Sequence, residues 1–194
     1  MNRRGASEHR RRLVEGLHGF VVELGAGAGP SFSLYPPAVT HVLAVEPDDY
    51  LRGLALQEAR TAPVRVTVIP GTAEHVPADT ASVDAVVVSL VLCSVQDQGA
   101  VLAEIRRILK PGGTLAYYEH VRSERPLVAA VEDLLTPVWQ RAAGGCHPNR
   151  DTLSAIRAAG FTVRDHERFG FAPTALAPSV AHILGKATSP GLPG

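Results

Sequence analysis

Cysteine is scarce in this sequence: 194 residues include two, Cys93 and Cys146. They lie far apart and match no CxxC or zinc-finger spacing. That excludes a disulfide scaffold and suits a reducing compartment, and with no metal-ligand spacing no metal is expected. Aromatic residues make up 5% of the chain, too few for a stacking platform for single-stranded nucleic acid. An excess of charge is missing too, since Lys plus Arg and Asp plus Glu each number 19. No global field draws the chain to nucleic acid or to an anionic membrane. The one local exception, Arg3, Arg4, Arg10, Arg11 and Arg12, reads as the solubilising face of a first helix. Long hydrophobic runs are absent as well. The longest, Val83 to Val95, falls short of the roughly 20 residues that span a bilayer and contains Asp84. No apolar signal segment opens the sequence. The expectation is a soluble, cytoplasmic protein without stable membrane insertion, monomeric or homodimeric, that does not bind nucleic acid.

What is present fits a globular domain, with 45% apolar and 20% charged residues. Length predicts one domain over residues 1–187, with a helical cover over 1–18, a helical lid over 121–150 and a flexible Pro- and Gly-rich tail over 188–194. Short apolar runs read as strands at Phe20 to Leu24, His41 to Val45, Val64 to Ile69, Val83 to Leu92, Thr114 to Glu119, Phe161 to His166 and Val180 to Gly185. Nearly continuous apolar strands are what a parallel sheet covered on both faces requires. Amphipathic segments lie between them. Asp97 to Leu109 carries one apolar stripe, and Asp97 suits an N-cap. Pro126 to Arg141 carries another (Leu127, Val128, Val131, Leu134, Leu135, Val138 and Trp139) and reads as core or lid, kinked or shortened at Pro137. Asp151 to Ala159 is stopped by Gly160. Strands alternating with helices predict a doubly wound, Rossmann-like, mostly parallel sheet of seven strands with helices on both faces.

The most informative segment is Val21 to Gly29, VVELGAGAG. A strand runs into glycines, which permit positive φ and close approach of a ligand to the backbone, and a helix is expected to begin near Pro30. Glu46, at the tip of the second strand, is placed to accept hydrogen bonds from both ribose hydroxyls of a nucleoside, with Pro47 beside it. A nicotinamide site would place a third glycine where Pro30 stands. The form Glu23-x-Gly25-x-Gly27-x-Gly29 instead resembles the first motif of class I S-adenosylmethionine (SAM) methyltransferases. Gly71-Thr72-Ala73-Glu74-His75-Val76-Pro77 is similar to the adenine-side loop of the quinone C-methylating members, with Thr72 in place of the usual acid. Ile108 to Leu115, ILKPGGTL, is similar to their turn into the fifth strand.

A narrower resemblance lies outside the cofactor motifs. Phe32 to Pro37 (FSLYPP), Leu90 to Val95 (LVLCSV), Glu119-His120-Val121, Gly144 to His147 (GGCH) and Ala159-Gly160-Phe161 resemble the methyltransferase-like thiol S-methyltransferases. The animal enzymes of that family carry an apolar N-terminal anchor, where this chain has basic residues. The resemblance implies SAM as cofactor and a small-molecule thiol as acceptor. It implies cofactor contacts from Glu23, Gly25, Ala26, Gly27, Glu46, Pro47, Thr72, Ala73, Glu74 and Leu90. Tyr35, His120, Trp139 and His147 are the candidate acceptor contacts. Strand-end geometry makes His120 the candidate base, although packing at the strand end explains it equally well. Cys93 reads as a buried structural residue and Cys146 as non-catalytic. Methylation of carbon or oxygen on a quinone or phenol, or SAM binding without turnover, are the competing readings.

Overall fold

All seven apolar runs form strands in the computed structural model, which describes residues 3–142, 145–172 and 179–191. The strands are β1 (Gly19–Leu24), β2 (Val39–Val45), β3 (Arg65–Ile69), β4 (Val83–Ser89), β5 (Leu109–His120), β6 (Thr162–Phe171) and β7 (Val180–Thr188). They make one sheet in the order β3-β2-β1-β4-β5-β7-β6. The first five strands are parallel, and β7 inserts antiparallel between β5 and β6. The topology reverses between β1 and β4, and the carboxyl ends of the strands at such a reversal are where open sheets bind ligands.

Both faces are covered, as the apolar strands require. Successive residues of β4 point to opposite sides. Val86 and Val88 pack with Leu102 and Ile105 of α3 (Gln98–Ile108), while Ala85 and Val87 pack with Leu13 and Val14 of α1 (Arg3–Val14). Asp97 caps α3 by accepting from the Ala100 N–H at 3.0 Å. Asp151 does the same for α5 (Thr152–Ala158) through Ser154 at 3.1 Å. An unforeseen helix, α2 (Asp49–Glu58), follows β2 and is capped by Asp48.

Four expectations need correction. No α-helix begins near Pro30; a single 3-10 turn, Phe32–Leu34, bridges β1 to β2. Pro36 and Pro37 end it, because the residue before a proline is forced out of the helical region, and Tyr35 is extended at ψ 133°. Strand β4 stops at Ser89, and Leu90 turns the chain at φ +61°. Helix α4 (Pro126–Ala142) runs through Pro137 without ending there. Its apolar stripe does not face the core: Leu127 is 84% exposed and Leu134 77%. Polar contacts fix the helix rotation instead. Glu132 accepts from the Ser123 N–H at 2.8 Å, and Asp133 pairs with Arg122 and Asn149. Finally, the expected tail is part of the fold through Ser189: Thr188 ends β7, and the buried Ser189 exchanges backbone hydrogen bonds with Gly112 and Gly113. Residues 192–194 lie outside the described residues.

Candidate active site

The glycine loop closes onto Glu46 (only 5% exposed) at the tip of β2. Its Oε2 accepts the Gly27 N–H at 2.7 Å and its Oε1 accepts the Asp48 N–H at 3.0 Å. A carboxylate has about four acceptor sites, so two remain for a diol. Ala26 N–H adds a bond to the Val45 carbonyl at 3.2 Å. Gly25 and Gly27 both lie at positive φ, +60° and +57°. A Cβ at Gly25 would sit 2.6 Å from Val91 Cγ2, whereas one at Gly27 would meet nothing within 4 Å. Gly25 is thus required by packing. Gly27 faces open space beside the Glu46 carboxylate.

Thr72, Ala73 and Glu74 form a tight loop after β3, closed by a bridge between Thr72 and His75. Ala73 is buried while Thr72 and Glu74 face solvent. Two residues of α3 unnoticed in the sequence hold this loop. Glu104 accepts the Val76 N–H at 2.8 Å, and Arg107 donates to the Val76 and Ala78 carbonyls at 3.1 and 2.9 Å. Their i, i+3 spacing was the available signal.

Glu23 and Tyr35 come together as a buried pair. The Tyr35 hydroxyl donates to Glu23 Oε2 at 2.8 Å, so Tyr35 packs against the loop rather than lining open space. Burial pushes Glu23 up to about 7, against the opposing hydrogen bond from Tyr35. Between pH 4.5 and 7 the folded chain therefore keeps a proton that the unfolded chain releases, and stability falls as pH rises through that window. The fall amounts to about 3 kcal/mol. Glu23→Gln should flatten the stability-versus-pH curve there; urea unfolding at several pH values checks this, and parallel curves for the two proteins would refute it.

At the carboxyl ends of β4 and β5 the chain makes a second cradle. Glu119 is fully buried, and its carboxylate accepts the N–H groups of Val91, Leu92 and Cys93 at 2.9, 3.0 and 3.0 Å. Burial holds its carboxyl well above the ordinary range, aided by the nearby Cys93 and opposed by those N–H bonds. Leu90, in the left-handed region, donates its N–H to the Tyr118 carbonyl at 2.7 Å. The next residue of β5, His120, aims Nδ1 at two sulfurs, with Cys146 Sγ at 3.0 Å and Cys93 Sγ at 3.7 Å. His182 of β7 packs against the His120 ring at a centroid distance of 4.4 Å. The Cys93 thiol is pushed up to about 12, first by its contact with Cys146 and then by burial.

The segment after α4 is stapled onto this cradle. The His147 N–H donates to the Cys93 carbonyl at 2.7 Å, and Arg150 donates to the Leu92 carbonyl at 2.9 Å. His147 is thereby placed beside Cys93, with its Nδ1 enclosed and unpartnered among the described residues. Arg150 had no motif to mark it. The side chain of Trp139 lies outside the described residues. A cavity of about 140 Å³ beneath α4 is lined by Val128, Val131, Leu135, Thr136, Pro148 and Val180. Another concavity, about 740 Å³, involves Leu102, Arg106, Pro111 and Ser189 and lies at the opposite end of the sheet from the glycine loop.

Residues 22–117 match the family model described as a methyltransferase domain. Thiol S-methyltransferase TMT1B of Rattus norvegicus is 36% identical over 86% of this chain and 69% of its own length. Its Homo sapiens counterpart is 34% identical over 96% and 80%. The fold is shared with a crystal structure of an S-adenosylmethionine-dependent methyltransferase from Mesorhizobium loti, at TM-score 0.69, 18% identity and coverage of 96% and 99%. Among the described residues, no helix is long and apolar enough to cross a membrane. With a glycine loop open at Gly27, a carboxylate at the tip of β2 and this likeness along nearly the whole chain, the protein belongs to the SAM-dependent methyltransferases, and SAM is its cofactor.

Proposed function

We propose that the chain transfers the methyl group of SAM to a small-molecule thiol. The observation that carries this reading is a convergence. The sequence segments resembling the thiol S-methyltransferases outside the cofactor motifs (at Cys93, His120 and Cys146) meet in space at the carboxyl ends of β4 and β5. The likeness to the rat and human relatives covers this acceptor side as well as the cofactor half.

SAM supplies an activated methyl group on a sulfonium. The chain's work is to align it with the acceptor and to exclude water. Glu46 and the backbone from Gly25 to Gly27 hold the nucleoside. Thr72, Ala73 and Glu74, fixed from behind by Glu104 and Arg107, border the adenine. The Glu23–Tyr35 pair keeps the loop entry rigid, and Leu90 borders the cofactor side of the turn after β4. A thiol with pKa near ~8.5 is partly ionised at neutral pH, so modest assistance is enough. His120 supports it from the acceptor side, with His147 and α4 closing the pocket.

His120→Ala should lower kcat/KM for an aliphatic thiol about 100-fold while leaving SAM affinity within about twofold, since no cofactor contact is assigned to His120. Steady-state kinetics with calorimetry on the same protein tests it. Unchanged turnover, or loss of SAM binding, would remove His120 from the acceptor side. Turnover confined to phenols or quinones would favour the competing O- or C-methylation.

A further inference from the structure

The two cysteines and His120 have a geometry that packing alone does not ask for. The atoms Cys93 Sγ, Cys146 Sγ and His120 Nδ1 form a triangle with sides of 3.5, 3.0 and 3.7 Å. A tetrahedral zinc ion bound by two thiolates and an imidazole would set these sides at about 3.8 Å between sulfurs and about 3.6 Å from sulfur to nitrogen. Two sides are within about 0.3 Å of those values, and the His120–Cys146 side must lengthen by about 0.6 Å to accept such an ion. The sulfurs are too far apart to be bonded, since a disulfide measures about 2.05 Å. Among the described residues, no fourth His, Cys, Asp or Glu joins the group.

The supports behind the three donors are in place. Cys93 is fixed through its own backbone, with its N–H on Glu119 and its carbonyl on the His147 N–H. Cys146 precedes His147 and is held with it. His120 closes β5 and is backed by the His182 ring. Donors locked by surrounding hydrogen bonds are what a metal site needs to keep its geometry. The sulfurs are buried and His120 is partly exposed, so the group reaches the surface on the imidazole side.

We propose that Cys93, His120 and Cys146 form a Cys2His site for a zinc-type divalent cation, whose fourth position takes the sulfur of the acceptor thiol. Three protein ligands with one open position is the arrangement of catalytic rather than structural zinc. The role at the open position rests on the thiol-methylation reading above; the metal site itself does not. On binding, the thiol releases its proton to solvent and the cation holds the thiolate. A sulfur lone pair forms the new C–S bond to the methyl carbon as the bond from that carbon to the sulfonium breaks, and its electron pair stays on the departing sulfur. The neutral thioether is a poorer ligand and leaves. No oxidant or reductant takes part.

The test uses the full chain, stripped with a chelator under a phosphine reductant and titrated with Zn²⁺ and with Co²⁺. The expected result is one tightly bound equivalent of zinc, and a cobalt form with a thiolate charge-transfer band and the strong visible absorption of tetrahedral cobalt. Cys93→Ser and Cys146→Ser should each weaken zinc binding at least about 100-fold. Circular dichroism and SAM calorimetry on the same samples confirm that they fold, and His120→Gln provides a variant that leaves both buried sulfurs in place. Adding an aliphatic thiol should shift the cobalt spectrum. No stoichiometric metal in a chain that still binds SAM would overturn the site. Metal binding with a spectrum unmoved by thiol would overturn the acceptor role at the fourth position. Tight metal binding in a chain that methylates no thiol would leave the site standing and defeat the thiol-methylation reading instead.

Discussion

Glu46→Ala should weaken SAM binding about 100-fold or more in a calorimetric titration. The carboxylate acts twice. In the proposed reading it accepts from the ribose diol, and it ties the glycine loop to the second strand through the Gly27 and Asp48 N–H groups. Hydrogen bonds to a charged group contribute about 1.5–3 kcal/mol each, so losing the diol contacts alone accounts for about two decades in affinity. Releasing Gly27 adds an ordering cost, because the loop must be fixed again when the nucleoside enters. Glu46→Gln should fall between wild type and Ala. Its amide oxygen can still take one N–H, while its NH2 group opposes the other. Equal SAM affinity in Glu46→Ala and wild type would show that the nucleoside does not lie along the second strand.

Glu119→Ala is expected to cost the fold about 4 kcal/mol, a large share of the roughly 5–15 kcal/mol that holds a domain together. The side chain is fully buried and, among the described residues, is the partner of three consecutive backbone N–H groups, those of Val91, Leu92 and Cys93. Each buried donor left without a partner costs about 1–3 kcal/mol. Water entering the vacated space would recover part of that, which is why the figure lies below the plain sum. Glu119→Gln should lose roughly half as much, since one amide oxygen replaces two carboxylate oxygens. Urea unfolding measures both. A Glu119→Ala protein as stable as wild type would mean that the turn from Leu90 to Cys93 is held by something other than this carboxylate. The turn carries a non-glycine residue at positive φ and one of the three metal-site donors, so its stability bears directly on the acceptor side.

Much of this was legible in the sequence because the physics is local. Apolar β-branched runs about five residues long specify strands, and the nearly continuous ones among them are the buried parallel strands β1, β2 and β4. Asp97 and Asp151 announce helix starts because their side chains bond to N–H groups three residues on. Gly25 and Glu46 could be matched because a strand, a tight turn and an acid at the next strand tip are one supersecondary unit. The misses have the opposite character. The helix expected at Pro30 was prevented by a pair of prolines six residues downstream. The apolar stripe of α4 reads as core or lid, and the core reading fails because Glu132 and Asp133 reach Ser123, Arg122 and Asn149. Periodicity gives the existence of a stripe and not what the stripe faces. Asp48 could have marked α2 by its capping chemistry. The grouping of Cys93, His120 and Cys146 was the least visible, because consecutive members stand 27 and 26 positions apart. No spacing rule reaches that far; only the adjacency of β4 and β5, with the segment after α4 folded across their ends, brings them together.

The most direct measurement of the central claim is a competition in one vessel. The purified chain is given methyl-labelled SAM with an aliphatic thiol, a phenol and a quinol at equal concentrations, and the products are separated by mass spectrometry. The predicted result is labelled thioether in clear excess over any ether or C-methyl product, lost together with SAM binding in Glu46→Ala and reduced about 100-fold in His120→Ala. Label appearing on the phenol or quinol while the thiol remains unmodified would contradict it.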